Sequence, residues 1–296
     1  MHILVTGVTG TIGGAVARAL IRRGHEVTGT IRDEASRGAV PAGVELIVAD
    51  LFEASGLADV ARHVDGAVHA ASSNDMRAPE LDHGVVNTLL AAFEGTEKPF
   101  VYTSGLWIHG NGGPTPLTEE SPFTPPMVVA WRPAVEQMLV EAAGSGLRTI
   151  RIRPGLVYGD GRGYVPMLFA PQEHGEGKAV RYFGDGSNRW AVVHADDLGD
   201  LYALAIEAAP AGSVYLGASE ESVCVREAAM VVADRYGAHA LAWDPADAVQ
   251  YWNVMVEALM LDQVASHAHA RAALGWQPHR PGLIEDLVAS TALQRT

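Results

Sequence analysis

The sequence predicts an α/β fold, a doubly wound parallel sheet carrying a smaller C-terminal substrate lobe. Three observations predict it. A short apolar run, Ile3-Leu4-Val5, passes at once into the glycine-spaced turn Thr6-Gly7-Val8-Thr9-Gly10-Thr11-Ile12-Gly13. Further short apolar runs then alternate with segments of helical periodicity, as in parallel strands joined by crossover helices. The chain has 296 residues, 48% of them hydrophobic, enough for one large domain and an appended lobe.

The elements follow in order. Ile3-Leu4-Val5 reads as a buried strand. Residues 13–23 read as a helix, with Val16, Leu20 and Ile21 on one face and Gly24 as its stop. Residues 26–31 form the second strand. Asp50-Leu51 ends the third, Val68-His69-Ala70-Ala71 the fourth, and Phe100 to Ser104 is the fifth. Helices are expected over 82–93 and 134–143, and an irregular Gly- and Pro-rich loop over 110–126. Beyond residue 159, helices are expected over 197–208, 225–236, 245–261 and 282–293, with a strand at 213–217. Residues 1–158, with returning strands and helices near 190–217, make the expected dinucleotide-binding domain. Residues 159–296 make most of the lobe.

The first turn carries the most chemistry. Gly7 permits the tight turn, Gly10 clears space where a pyrophosphate meets the backbone, and Gly13 lets the helix pack closely on the strand. The helix start then offers free N–H groups and partial positive charge to phosphate. This is the phosphate loop of a Rossmann-type domain, with Thr9, Thr11 and Ile12 beside the same ligand.

Composition excludes several classes. The chain holds 21 basic and 35 acidic residues, a net charge of −14, a poor match for nucleic acid or an anionic membrane. No run of about 20 apolar residues suits a membrane span, and Ile3-Leu4-Val5 is too short for a signal-peptide core. The single cysteine, Cys224, cannot form an intramolecular disulfide and fits a reducing cytoplasm. His267-Ala268-His269 lacks a carboxylate partner, so no metal site is expected, and no G-x-S-x-G nucleophile elbow occurs.

The spacing T-G-x-x-G-x-x-G resembles the extended and atypical short-chain dehydrogenase/reductase superfamily. Later segments match its landmarks in order: Arg153-Pro154-Gly155-Leu156-Val157-Tyr158-Gly159, Gly184-Asp185-Gly186, Val193 to Leu198, and Leu274-Gly275-Trp276-Gln277-Pro278. The resemblance implies that Asp50 and Leu51 meet the adenine, that Ala70 and Ala71 lie along the ribose, and that Pro154 stands beside the nicotinamide. It also implies that substrate contacts fall near Arg181, Asn188, Arg189, Trp190 and His194.

The cofactor is read from the second strand. NAD-specific sites place a carboxylate about 20 residues past the glycines to grip the ribose diol. Thr30 stands there, and Arg32 follows, suited to a 2′-phosphate, with Arg37 as a second contact. The expected cofactor is NADP(H); Asp33 leaves NAD open.

The superfamily's usual acid–base set is a Ser or Thr followed by Tyr-x-x-x-Lys. Aligned here, those places hold Gly105, Val128 and Arg132. Arg132 can bind phosphate or ribose, but it is a poor proton donor. Tyr158, Ser104 and His109 are the candidate proton-transfer residues. The leading expectation is an NADP(H)-dependent reductase acting on a small organic carbonyl or activated alkene. The alternatives are a redox-sensing NADP(H)-binding protein without turnover and a sugar-nucleotide epimerase or dehydratase. A homodimer through helices 82–93 and 134–143 is a further expectation.

Overall fold

The computed structural model describes residues 1–53, 55–113, 115–159 and 161–289. Its first half alternates as expected: β1 (His2–Thr6), α1 (Thr11–Arg22), β2 (Glu26–Ile31), β3 (Val44–Val48), α2 (Ser55–His63), β4 (Gly66–His69), α3 (Ala78–Phe93), β5 (Phe100–Thr103), α4 (Arg132–Gly144) and β6 (Thr149–Pro154). The second half comprises β7 (Leu156–Tyr158), α5 (Tyr164–Phe169), β8 (Gln172–His174), β9 (Gly177–Phe183), β10 (Arg189–His194), α6 (Ala195–Ala208), β11 (Val214–Gly217), β12 (Ser222–Cys224), α7 (Val225–Arg235), β13 (His239–Trp243), α8 (Pro245–Trp252), α9 (Met255–Leu259), α10 (Ala268–Leu274) and α11 (Leu283–Ala289). Residues 290–293 of the expected closing helix lie outside the described residues.

The main sheet has seven parallel strands in the order β11-β6-β5-β4-β1-β2-β3. The order reverses between β1 and β4, and the strand ends at such a switch point open the crevice where α/β sheets bind ligands. Buried Ile3 and Val5 face α1 and α6, while Leu4 faces the α2–α3–α4 side. That alternation explains why β1 reads as a continuous apolar run: both of its faces are covered.

Of the pieces expected to return near 190–217, α6 and β11 rejoin the core. β10 packs Val193 into that core but does not join the main sheet; it pairs with β7 and β12 in a separate sheet. A third sheet, β13-β9-β8, completes the lobe around its own apolar cluster.

Helices α1 and α6 approach closely because Gly199 lacks a side chain; a Cβ there would stand 2.5 Å from the Ala15 carbonyl oxygen. Arg18–Asp196 (2.7 Å), Arg22–Asp200 (2.7 Å) and Arg23–Glu207 (2.5 Å) line the same junction. These pairs are partly exposed, so the close helix contact carries more of the stability than the charges do. The closing segment anchors on Trp276, which is buried and donates from Nε1 to the Asp197 carbonyl at 2.8 Å. Among the described residues no helix is long and apolar enough to cross a membrane.

Candidate cofactor and active site

The phosphate loop is shaped by backbone contacts. Gly7 has φ +72°, and a Cβ there would lie 2.7 Å from Ala71 Cα. A Cβ on Gly13 would lie 2.2 Å from the Gly7 carbonyl oxygen. Gly10 differs, because its Cβ would meet only that same oxygen, at 3.2 Å. Space above Gly10 is therefore open toward the crevice. Gly10 is also the N-cap of α1, with no side-chain cap and no acidic residue in the first turn. The helix N-terminus keeps its positive character for a phosphate. Thr9, Thr11 and Ile12 are half-buried around this opening.

Thr6 locks the loop to the end of β4. Its Oγ1 accepts from Ala70 N–H (3.2 Å) and Ala71 N–H (3.3 Å). Its own proton is then free for His69 Nδ1, 2.7 Å away, which leaves the proton of His69 on Nε2, facing Asp82 Oδ1 at 3.3 Å. Asp82 Oδ2 accepts from the Tyr102 hydroxyl (2.7 Å) and from Trp131 Nε1 (3.2 Å). Burial opposes ionisation of Asp82, but the His69 hydrogen bond, the Arg132 charge and the Tyr102 hydroxyl outweigh it and lower its pKa. A polar chain thus runs beneath the crevice from the phosphate loop to the start of α4.

At the adenine end, Arg32 is exposed and makes no hydrogen bond or ion pair with a described residue. Its competitors are occupied. Asp33 caps a short helical turn by accepting from Ser36 N (3.0 Å), and Arg37 pairs with Glu34 (2.8 Å). The expected second contact from Arg37 is therefore replaced by a local ion pair. Asp50 is exposed, with Oδ1 accepting from Phe52 N at 3.0 Å, and Leu51 packs into the core. Arg77 lies 3.6 Å over the Phe52 ring and pairs with Glu80. The Asp75 carboxyl is held below its usual range by Ser73 and the Arg77 backbone, then by the charges of Arg77 and Arg32. Sequence reasoning missed Arg77; no local pattern marks it, and only the fold brings it beside Asp50.

At the end of β5, Ser104 is buried and its Oγ has no hydrogen bond of good geometry, although the hydroxyl contributes to holding the Glu136 carboxyl low, behind the larger effect of Arg153. The next residue, Gly105, has extended backbone (φ −178°), and a Cβ there would meet nothing within 4 Å. Its missing side chain leaves room rather than relieving strain. Arg132 donates from Nη1 to the Thr103 carbonyl at 2.6 Å, while its buried Nε has no partner. The half-buried Val128 lies in a short helical turn before α4. Across this space stand Trp107 and Tyr164, with ring centroids 6.3 Å apart. Arg162 donates to the Thr9 carbonyl at 2.7 Å. Tyr164 and Arg162 were also missed, although the glycine-rich run around them was a visible signal.

Two expected proton donors do other work, which corrects their sequence reading. Tyr158 is buried, stacks edge-on against His194 and donates to the Pro281 carbonyl at 2.7 Å; burial raises its pKa. Its hydroxyl ties β7 to the C-terminal segment. His109 is 2% exposed, with Nδ1 toward the Pro122 carbonyl (3.2 Å) and Nε2 toward Arg153 Nη1 (3.3 Å). Both ring nitrogens are spent in the core. Burial, then the Arg153 charge, lowers its pKa, so the ring is neutral and accepts from Arg153. Arg153 itself forks onto Glu136 at 3.0 and 2.6 Å, fixing α4 to β6 just before the buried Pro154. Of the lobe residues, Arg189 pairs with Asp262 (2.8 Å), and Trp190 donates to the Leu259 carbonyl (2.9 Å).

The open phosphate loop, the uncapped helix start, and the orphaned Ser104 Oγ and Arg132 Nε fit a nicotinamide dinucleotide laid across the β1–β4–β5 strand ends. The sequence profile of the NAD dependent epimerase/dehydratase family matches residues 3–216. An uncharacterized protein of Schizosaccharomyces pombe is 30% identical over 98% of this chain and 99% of its own length. The 2-alkyl-3-oxoalkanoate reductase of Stenotrophomonas maltophilia is 30% identical over 77% of this chain and 73% of its own length. The crystal structure of the Thermus thermophilus UDP-glucose 4-epimerase in complex with NAD matches with a TM-score of 0.79 at 25% identity, covering 97% of each chain. The chain belongs to the NAD dependent epimerase/dehydratase family and is an oxidoreductase of the short-chain dehydrogenase/reductase type.

Proposed function

We propose that the protein is an NADPH-dependent reductase of a small organic ketone or aldehyde. The observation that carries this reading is the pair of buried polar atoms at the end of β5 that make no hydrogen bond of good geometry with a described residue, Ser104 Oγ and Arg132 Nε, beside the space left by Gly105. A buried polar atom without a partner is costly unless a ligand satisfies it.

Gly7, Gly10, Gly13, Thr9, Thr11 and Ile12 would hold the pyrophosphate against the α1 N-terminus. Asp50 and Leu51 would flank the adenine, Ala70 and Ala71 the ribose, and Pro154 the nicotinamide. Arg32 supports NADP(H) over NAD, because it follows β2 without a hydrogen bond or ion pair to a described residue while Asp33 is used as a cap. The cofactor would supply a hydride. Ser104 can orient the substrate oxygen, and Arg132 can stabilise negative charge on it without giving up a proton. Trp107 and Tyr164 would close the far wall and exclude water.

The relative from Stenotrophomonas maltophilia is named as a reductase of a 3-oxo acid, which supports a carbonyl over an activated alkene. The test is to mix the protein with NADPH and a panel of aldehydes, ketones and enones and follow loss of the reduced nicotinamide. Carbonyl-dependent oxidation of NADPH is expected. Tight NADPH binding without turnover across the panel would replace this reading with a redox-sensing role.

A further inference from the structure

Reduction of a carbonyl needs a proton for the oxygen that the hydride leaves charged. No tyrosine of this chain is followed four residues on by a lysine, so the superfamily's usual donor is missing. Three phenols near the strand ends are already committed. Tyr102 donates to Asp82, Tyr158 to the Pro281 carbonyl and Tyr202 to Thr103 Oγ1.

Tyr164 is different. It is half-buried, and its hydroxyl makes no hydrogen bond with a described residue. Its ring meets Trp107, which sits in the short helical turn that begins directly after Gly105. The segment leading to it contains Gly159, Gly161 and Gly163, all at positive φ (+111°, +64° and +93°). Two residues before Tyr164, Arg162 is tied to the Thr9 carbonyl at 2.7 Å. One end of this segment therefore rests on the phosphate loop, and the other reaches the turn after β5. Those are the places where the pyrophosphate and the nicotinamide of a dinucleotide would lie.

We infer that Tyr164, carried in from the lobe on this glycine-rich segment, is the proton donor of the reduction, in place of a tyrosine on α4. The inference rests on the reductase reading above. The step balances: the NADPH hydride brings the electron pair to the carbonyl carbon, the C=O π bond opens, the Tyr164 O–H bond breaks, and its proton ends on the new hydroxyl. The oxidised cofactor and a tyrosinate remain, and solvent returns the proton to the phenol. Arg132 has a supporting part. Burial raises the pKa of the Tyr164 phenol, which keeps it protonated, while the Arg132 charge favours the phenolate that forms when the proton leaves.

The experiment compares wild type, Tyr164→Phe and Tyr158→Phe. Three quantities are measured: NADPH affinity by fluorescence, thermal midpoint, and single-turnover NADPH oxidation with the best carbonyl of the panel. Removing the Tyr164 hydroxyl breaks no hydrogen bond to a described residue, so Tyr164→Phe should bind NADPH within about twofold of wild type and slow hydride consumption by about 100-fold or more. Tyr158→Phe should keep its rate within about threefold. An unchanged rate in Tyr164→Phe, with wild type active, overturns the inference and leaves the reductase reading standing. A slowed rate matched by an equal loss of NADPH affinity also overturns it, because the tyrosine is then a wall of the cofactor site. Wild type that binds NADPH and reduces no carbonyl removes both readings together.

Discussion

Arg162 Nη2 donates to the backbone carbonyl of Thr9 at 2.7 Å, tying a loop that leads into the lobe to the phosphate loop of the core. The contact is exposed, so its worth lies less in stability than in placing a cation beside the pyrophosphate position. Arg162→Ala should weaken NADPH and NADH alike by about tenfold, or roughly 1.4 kcal/mol. Fluorescence titration with both cofactors checks this. A loss confined to NADPH would assign the residue to the 2′-phosphate instead.

Arg32 gives the opposite pattern. It stands after β2 with no ion pair to a described residue, whereas Arg37 is held by Glu34. Arg32→Ala should cost NADPH affinity about 10- to 100-fold and leave NADH within about twofold, as expected for one charge-assisted contact to phosphate. Equal weakening of both cofactors would reject the NADP(H) assignment.

Two glycines should respond differently to a single methyl group. Gly105 has extended backbone and open space around its Cβ direction, so Gly105→Ala should change stability by less than about 0.5 kcal/mol. Gly13→Ala would drive a Cβ to 2.2 Å from the Gly7 carbonyl oxygen, with an expected cost of about 3 kcal/mol. Urea unfolding of both variants reads the difference. Comparable losses would show that the space beside Gly105 is filled by the chain itself.

Acid should destabilise the protein in two stages. The buried His109 imidazole lies below its ordinary 6.5, held there by burial and then by the Arg153 charge. The Glu136 carboxyl lies below its ordinary 4.5, because the Arg153 hydrogen bonds and charge outweigh its burial. Each group takes up a proton more readily unfolded than folded. The stability each contributes is therefore complete above its unfolded value and is lost as the pH falls through its folded value. Urea midpoints should begin to fall below about pH 6.5 and fall again below about pH 4.5. His109→Gln should flatten the first decline. Removing Arg153 as Arg153→Met leaves the buried Glu136 charge only the longer contact to Arg151 at 3.6 Å and should cost about 3 kcal/mol.

Much of this protein is set by local chemistry and is legible in the chain. β2 spans residues 26–31 as expected, because the β-branched Val27, Thr28, Thr30 and Ile31, lying between a helix stop and a polar turn, favour a strand. The three glycines of the first turn already define a phosphate-binding loop, since the need for a tight turn, an open approach and a close helix contact acts over a few residues. The same applies to Arg32, whose place depends only on where β2 ends. His109 and Tyr158 show the limit. Their residue types suggest proton transfer, but whether a histidine or a phenol is free depends on partners distant in sequence: Arg153 for one, the Pro281 carbonyl for the other.

The sequence by itself determined the α/β alternation, the phosphate loop, and the identities of Gly105, Val128 and Arg132. Only the tertiary structure decided what surrounds them. Strand pairing brought the Ala70–Ala71 segment onto Gly7 and carried Asp82 under Trp131. The entry to α5 brought Arg162 to the phosphate loop and Tyr164 to the turn after β5. The physical reason is one of range. Backbone preference and hydrophobic period act over a few residues and are written locally. The burial and pairing of a polar group depend on segments distant in sequence, from 44 residues for His109 and Arg153 to 153 for Thr9 and Arg162, and these meet only once the sheet has closed.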